Sequence, residues 1–181
     1  LLLAETPMRP FILFLLLATT LTACRPNMPK VNPQSMAGGP TQEVPVYFTG
    51  SRGTTPVTVA VSRKVPADTQ PLDYALYHLL RGPNDEESAK GLYSEIPKGT
   101  RLLGVEYGPE AVRINLSQQF TSGGGANTMQ QRLKELQYTV RSIEKSRPVY
   151  VDIEGQELQV LGGEGIIVDE PINRDTQGKI Q

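Results

Sequence analysis

Residues 123–153 read GGGANTMQQRLKELQYTVRSIEKSRPVYVDI, and this stretch decides the fold. Met129, Leu133, Leu136, Val140 and Ile143 recur at steps of three and four, the spacing that gathers side chains on one face of an α-helix. The glycine run breaks the chain ahead of them, Asn127 can cap the helix, and Pro148 ends it. Beyond Pro148 the period drops to two. Val149, Val151 and Ile153 alternate with polar neighbours and read as a half-buried strand. A helix with one apolar stripe and a strand with one apolar face are stable only when something covers each, so helices packed on a sheet are expected.

Working outward, Val112, Ile114 and Leu116 alternate in the same way, and the turn at Gly108-Pro109 pairs them with Leu103, Val105 and Tyr107. Leu72, Ala75, Leu76 and Leu79 predict an earlier helix of about ten to twelve residues, with Asp68 as a cap and Gly82-Pro83 as the stop. A polar loop containing Asn84-Asp85-Glu86-Glu87 follows it. Val44, Val46 and Phe48, then Val57, Val59 and Val61, form two strands around the turn-rich Thr49-Gly50-Ser51-Arg52-Gly53. After Ile153, a turn at Glu154-Gly155 brings Leu158 and Val160 opposite the last strand. The predicted order is ββαββαββ: a single α+β domain over residues 43–172, with a mainly antiparallel sheet and two helices packed on one face.

The residues before this domain address it to a compartment. Met8 and Arg9 give a short positive start, Phe11 to Ala18 an apolar run, and Thr19, Thr20 and Thr22 interrupt it well short of the roughly 20 apolar residues a membrane span requires. Residues 1–23 are therefore read as a signal peptide starting at Met8. Leu21-Thr22-Ala23-Cys24 resembles the lipobox of bacterial lipoproteins. That resemblance implies cleavage before Cys24 and its linkage to diacylglycerol, with acyl chains holding the protein on the cell membrane or an outer membrane. The alternative is that Cys24 is an ordinary residue near the end of a hydrophobic segment. Residues 24–42, rich in Pro, Gly, Asn and Gln, read as a flexible tether, and residues 173–181 as a polar tail.

Composition narrows the function classes. Eighteen basic residues against 19 acidic ones give a net charge of -1, and the basic residues are scattered among acids. No nucleic-acid footprint follows from such a pattern. The single cysteine forbids an intrachain disulfide, and with one histidine it nearly excludes a closed zinc site.

Each segment that could carry chemistry also has a plain structural reading. Gly123 to Asn127 could present helix amides to an anion, but the run lacks the lysine and hydroxyl of a P-loop, and a connector with a capping Asn explains it. Gly162-Gly163-Glu164-Gly165 is read as a bend between two apolar stretches. Asp85-Glu86-Glu87 lacks the ligand order of a calcium loop. His78 projects away from the apolar stripe of the first helix, and catalysis would require a positioned partner. Tyr74, Tyr77, His78 and Arg81 share that outer face. Tyrosine and arginine are favoured interface anchors, so these four form the candidate partner surface; the alternative reading is that they pack in part against the following loop. No catalytic residue, cofactor or metal ligand is assigned.

The words Val46-Tyr47-Phe48, Leu79-Leu80-Arg81-Gly82-Pro83, Ile96-Pro97-Lys98-Gly99-Thr100, Val112 to Phe120 (VRINLSQQF) and Val149 to Gly155 (VYVDIEG) occur in the order and spacing of a GerMN domain. The chain resembles this family of bacterial envelope modules, named after a spore-germination lipoprotein. The resemblance implies a fold similar to ring-building motif modules, and no catalytic residues. The expected function is a lipid-anchored envelope protein whose domain binds proteins or cell wall without catalysis, with self-association as a further option. The alternatives are an envelope hydrolase of wall polymers and a binder of a small anionic envelope ligand.

Overall fold

Gly53 has φ +64°, a left-handed backbone that glycine adopts without Cβ strain, and it reverses the chain between β1 (Glu43–Arg52) and β2 (Thr55–Lys64). This computed structural model describes residues 42–163, 165–168 and 171–174. The signal peptide, Cys24 and the tether up to residue 41 lie outside the described residues, as do residues 175–181 of the tail. The strands of the hairpin are longer than their sequence pattern suggested. β1 continues through Thr49 to Arg52, paired from Glu43↔Lys64 to Arg52↔Thr55, so most of the turn-rich segment is strand.

Helix α1 (Pro71–Arg81) begins with proline at a first-turn position, where its missing N–H costs nothing. Its N-cap is Gln70, not Asp68, which sits in the preceding turn at φ +64°. Gly82 ends the helix as expected, donating its N–H to the Leu79 carbonyl at 3.1 Å. The polar loop after it is in fact a short helix, α2 (Asp85–Ala89). Asn84 Oδ1 accepts from Glu87 N and Glu87 Oε2 accepts from Asn84 N, both at 2.9 Å, a reciprocal cap that stabilises so short an element.

β3 (Leu102–Tyr107) and β4 (Val112–Leu116) pair antiparallel, as the sequence suggests. Helix α3 (Ala126–Ile143) follows, with Gly125 as its N-cap; Asn127 lies within the first turn instead of capping it. β5 (Val149–Ile153) then runs parallel to β4, from Val112↔Val149 to Leu116↔Ile153. A helix that carries the chain from one end of a strand back to the other must deliver the next strand parallel, so the β4–α3–β5 unit makes a mixed sheet of order β3-β4-β5-β6. β6 (Gln156–Glu157) is antiparallel to β5. Leu158 N still reaches Val151 O at 2.8 Å. Val160 does not lie opposite β5: it belongs to β7 (Val160–Leu161), which pairs with β8 (Ile166–Ile167). Gly165 N donates to Gly162 O at 3.2 Å between these two strands; Glu164 lies outside the described residues. Gly162 has φ +71°, and a Cβ there would collide with Met129 Sδ of α3, so both the backbone angle and the space call for glycine.

The α+β class stands. α1 and α3 pack on each other and on β1, and their apolar stripes close over Val46, Phe48, Ile114, Leu116 and Val151 in one core. Asn173 corrects the expected boundary of the tail. It is buried, its Oδ1 accepts from Val149 N at 3.0 Å, and its Nδ2 donates to the carbonyls of Glu144 and Arg147 at 2.9 and 2.7 Å. The residue read as the first of a frayed tail clamps the α3–β5 connection. Among the described residues no helix is long and apolar enough to cross a membrane.

Candidate interaction surface on the first helix

Burial of Leu72, Ala75, Leu76 and Leu79 fixes the rotation of α1 and turns the positions three and four residues apart on its other side outward. Tyr74, Tyr77, His78 and Arg81 form one cluster in which Tyr77 and Arg81 are exposed, while Tyr74 and His78 are half-buried and Tyr74 packs against the core. The His78 ring meets Tyr74 at 4.5 Å and Tyr77 at 5.3 Å between centroids, both edge-on. The Arg81 guanidinium lies 5.4 Å from the Tyr77 centroid and donates to its hydroxyl at 3.1 Å. Tyr77 is 52% exposed, so a large, stiff aromatic ring stands in solvent beside a guanidinium. Asp73, on the same helix, accepts a hydrogen bond from the Tyr107 hydroxyl and ties α1 to β3.

Burial, then the positive charges of Arg63 and Arg81, hold the His78 pKa below its ordinary value, so the imidazole is neutral at neutral pH. Glu87 is the acid that opposes this shift, and it is already engaged. Arg63 donates to both of its oxygens at 2.6 and 2.7 Å. That pairing depresses the Glu87 pKa. An acid held ionised by a bidentate arginine is a poor proton acceptor, so Glu87 is committed to Arg63, and the cluster presents aromatic faces and a guanidinium. A shallow depression of about 580 Å³ beside the β3–β4 turn is lined by Glu106 to Ala111 and Arg113, without His78.

The glycine run at the start of α3 serves another group. Gly123 and Gly124 take φ +63° and +88°, which brings the Gly123 carbonyl to Arg132. Arg132, 2% exposed, donates to the carbonyls of Phe120, Gly123 and Glu95 at 2.7 to 3.0 Å. Glu135, fully buried one turn later, accepts from Thr49 Oγ1 at 2.5 Å, Ser94 Oγ at 2.6 Å and Glu95 N at 3.0 Å. Desolvation raises its pKa and the hydroxyl donors oppose that rise. Sequence reasoning missed both residues. Their only signal is that they flank Leu133 and Leu136, at positions that are buried when a helix is covered on more than one side.

Residues 45–159 match the model of the Germane family, described as sporulation and spore germination. The chain belongs to this family. Its fold agrees. The first GerMN domain of the sporulation protein GerM from Bacillus subtilis superposes with a TM-score of 0.59 at 20% identity, covering 74% of this chain and 98% of that one. The tandem GerMN domains of the same protein give a TM-score of 0.58 at 17% identity, covering 82% of this chain and 50% of that one. The chain thus spans half the length of the tandem structure. At such identities the likeness shows the fold alone. No curated protein matches the chain. Within this Germane domain, the α1 cluster joins an exposed aromatic to the guanidinium that it stacks with, and its members lie along two turns of one helix face.

Proposed function

We propose that this protein is a lipid-anchored component of a bacterial cell envelope whose Germane domain binds envelope proteins or cell wall without catalysing a reaction. The α1 surface is the binding face. The observation that carries this reading is the Tyr77–Arg81 pair with His78 packed against Tyr77: aromatic and arginine side chains dominate binding hot spots, the ring because it buries much area at little conformational cost and the guanidinium because its planar fork is organised for hydrogen bonding. Membership of a sporulation and germination family is consistent with an envelope role.

Anchoring supplies the rest of the mechanism. Cys24, at the end of the lipobox-like Leu21-Thr22-Ala23-Cys24, is the lipid attachment residue, and residues 24–42 let the domain search within a tether length of the surface. Confinement raises the effective concentration of neighbouring partners, so modest intrinsic affinity suffices. Cys24→Ala tests the anchor: the variant is expected to lose incorporation of labelled fatty acid and to leave the membrane fraction while its circular dichroism stays unchanged. Continued membrane retention of a folded Cys24→Ala chain would contradict the anchor.

A further inference from the structure

Among the described residues, β2 pairs with β1 on one side and with no strand on the other. Val65 N donates to Gln42 O at 2.8 Å, next to the first pair of the β1–β2 register, Glu43↔Lys64. Bonded and non-bonded pairs alternate along an antiparallel ladder, so the backbone groups of Tyr47 and Thr49 on β1, and of Thr58, Ala60 and Ser62 on β2, point away from the hairpin. On β1 they are satisfied: Tyr47 N donates to Thr139 Oγ1 at 3.0 Å and Thr49 N to Tyr93 O at 2.9 Å. On β2 no described residue pairs with the N–H groups of Thr58, Ala60 or Ser62. The Ser62 carbonyl accepts from Arg63 Nη1 at 3.2 Å, which leaves its second lone pair available. Ala60 and Ser62 are exposed, and charge and proline, the usual protection of an edge, stand toward the ends, as Pro56, Arg63 and Lys64.

The sequence along this edge is nearly palindromic. Thr58-Val59-Ala60-Val61-Ser62 reads almost the same in both directions about Ala60. We propose that the occupant of this edge is a second copy of the chain, paired antiparallel through β2 with a two-fold axis at Ala60. Thr58 then faces Ser62 of the second copy, Val59 faces Val61, and Ala60 faces itself. Hydroxyl pairs and β-branched pairs are favourable across strands, and a two-fold contact is self-complementary by construction. The same register sets Arg63 against Val57 and Lys64 against Pro56, so no like charges oppose one another. It closes about six backbone hydrogen bonds and joins two hairpins into a four-stranded sheet. An unrelated extended segment would have no preference for this register.

Cross-linking of the full chain in its own envelope tests the pairing. Residues directly opposite in a bonded antiparallel pair have Cα atoms about 5.5 Å apart, within disulfide range. Under mild oxidation Ala60→Cys is expected to give a dimer whose linked peptide joins position 60 to position 60. Glu86→Cys, at an exposed site on α2, is expected to give at least tenfold less. If Ala60→Cys folds poorly, co-expressed Thr58→Cys and Ser62→Cys chains provide the same readout through a 58–62 disulfide. A folded Ala60→Cys chain that stays monomeric, as it would if the chain's own residues before Gln42 covered the edge, overturns the proposal; so does cross-linking no better than at position 86.

Discussion

Glu135 shows how a single charged residue can belong to the interior. Its carboxylate collects two hydroxyls and one backbone N–H from the Thr49 and Ser94-Glu95 segments, so one α3 side chain holds β1 and the loop before β3 together. Glu135→Ala leaves those three donors without an acceptor, and we expect a loss of about 2–4 kcal/mol; Glu135→Gln, which keeps an acceptor, should lose less than half of that in urea titration. The pH dependence has a definite sign. Burial raises the folded pKa above the ordinary 4.5, so the unfolded chain ionises first. The stability tied to this proton is complete below pH 4.5 and is lost as pH rises through the folded pKa. Wild type should therefore lose ground to Glu135→Gln over that window, and a stability difference independent of pH would contradict the assignment. Neither Glu135 nor Arg132 was legible as buried, because a charged residue beside an apolar stripe ordinarily marks the solvated side of a helix. Only the packing of α3 against both β1 and α1 reverses that expectation.

At the scale of elements, periodicity carried α1, α3, β4 and β5, since each repeats its apolar positions at the spacing of its own geometry. Capping was harder. Asp68 and Asn127 are good capping residues by type, yet Pro71 sets the start of α1 and Gly125 that of α3, because backbone conformation outweighed side-chain chemistry at both sites. The α1 surface was legible as a face: positions 74, 77, 78 and 81 share one side of any regular helix. Its ring contacts, and the Arg63–Glu87 pair that engages an acid acting on His78, needed the fold. Asn173 could not be read from the sequence, because an isolated polar residue at the end of a chain carries no period. Its three hydrogen bonds bind the segment after β8 to the α3–β5 connection. Asn173→Ala is expected to cost about 1–3 kcal/mol and to increase amide exchange at Val149. Equal stability of Asn173→Ala and wild type would show that the clamp contributes nothing.

The whole molecule depends on a topological step that the alternating strands concealed. A pattern of strand pairs separated by helices suggests successive hairpins, but an 18-residue helix between β4 and β5 requires a crossover and a parallel pair. That step puts α3 in the centre of the domain, with α1 beside it and the Tyr77–Arg81 face on the outside. A scaffold held internally by apolar packing and by Arg132, Glu135 and Asn173 would, on the proposed function, offer its aromatic and cationic surface to a partner, and an acyl anchor at Cys24 would keep that surface close to the membrane. The most direct test is site-specific photocross-linking in the cell, with a photoreactive phenylalanine analogue replacing Tyr77 and, in a second strain, replacing the exposed Gln119 in the turn after β4. A small, reproducible set of envelope adducts at position 77, absent at position 119 and lost on adding Cys24→Ala, is the predicted result; no adduct at position 77, or the same adducts at both positions, would contradict the account of a tethered binding module.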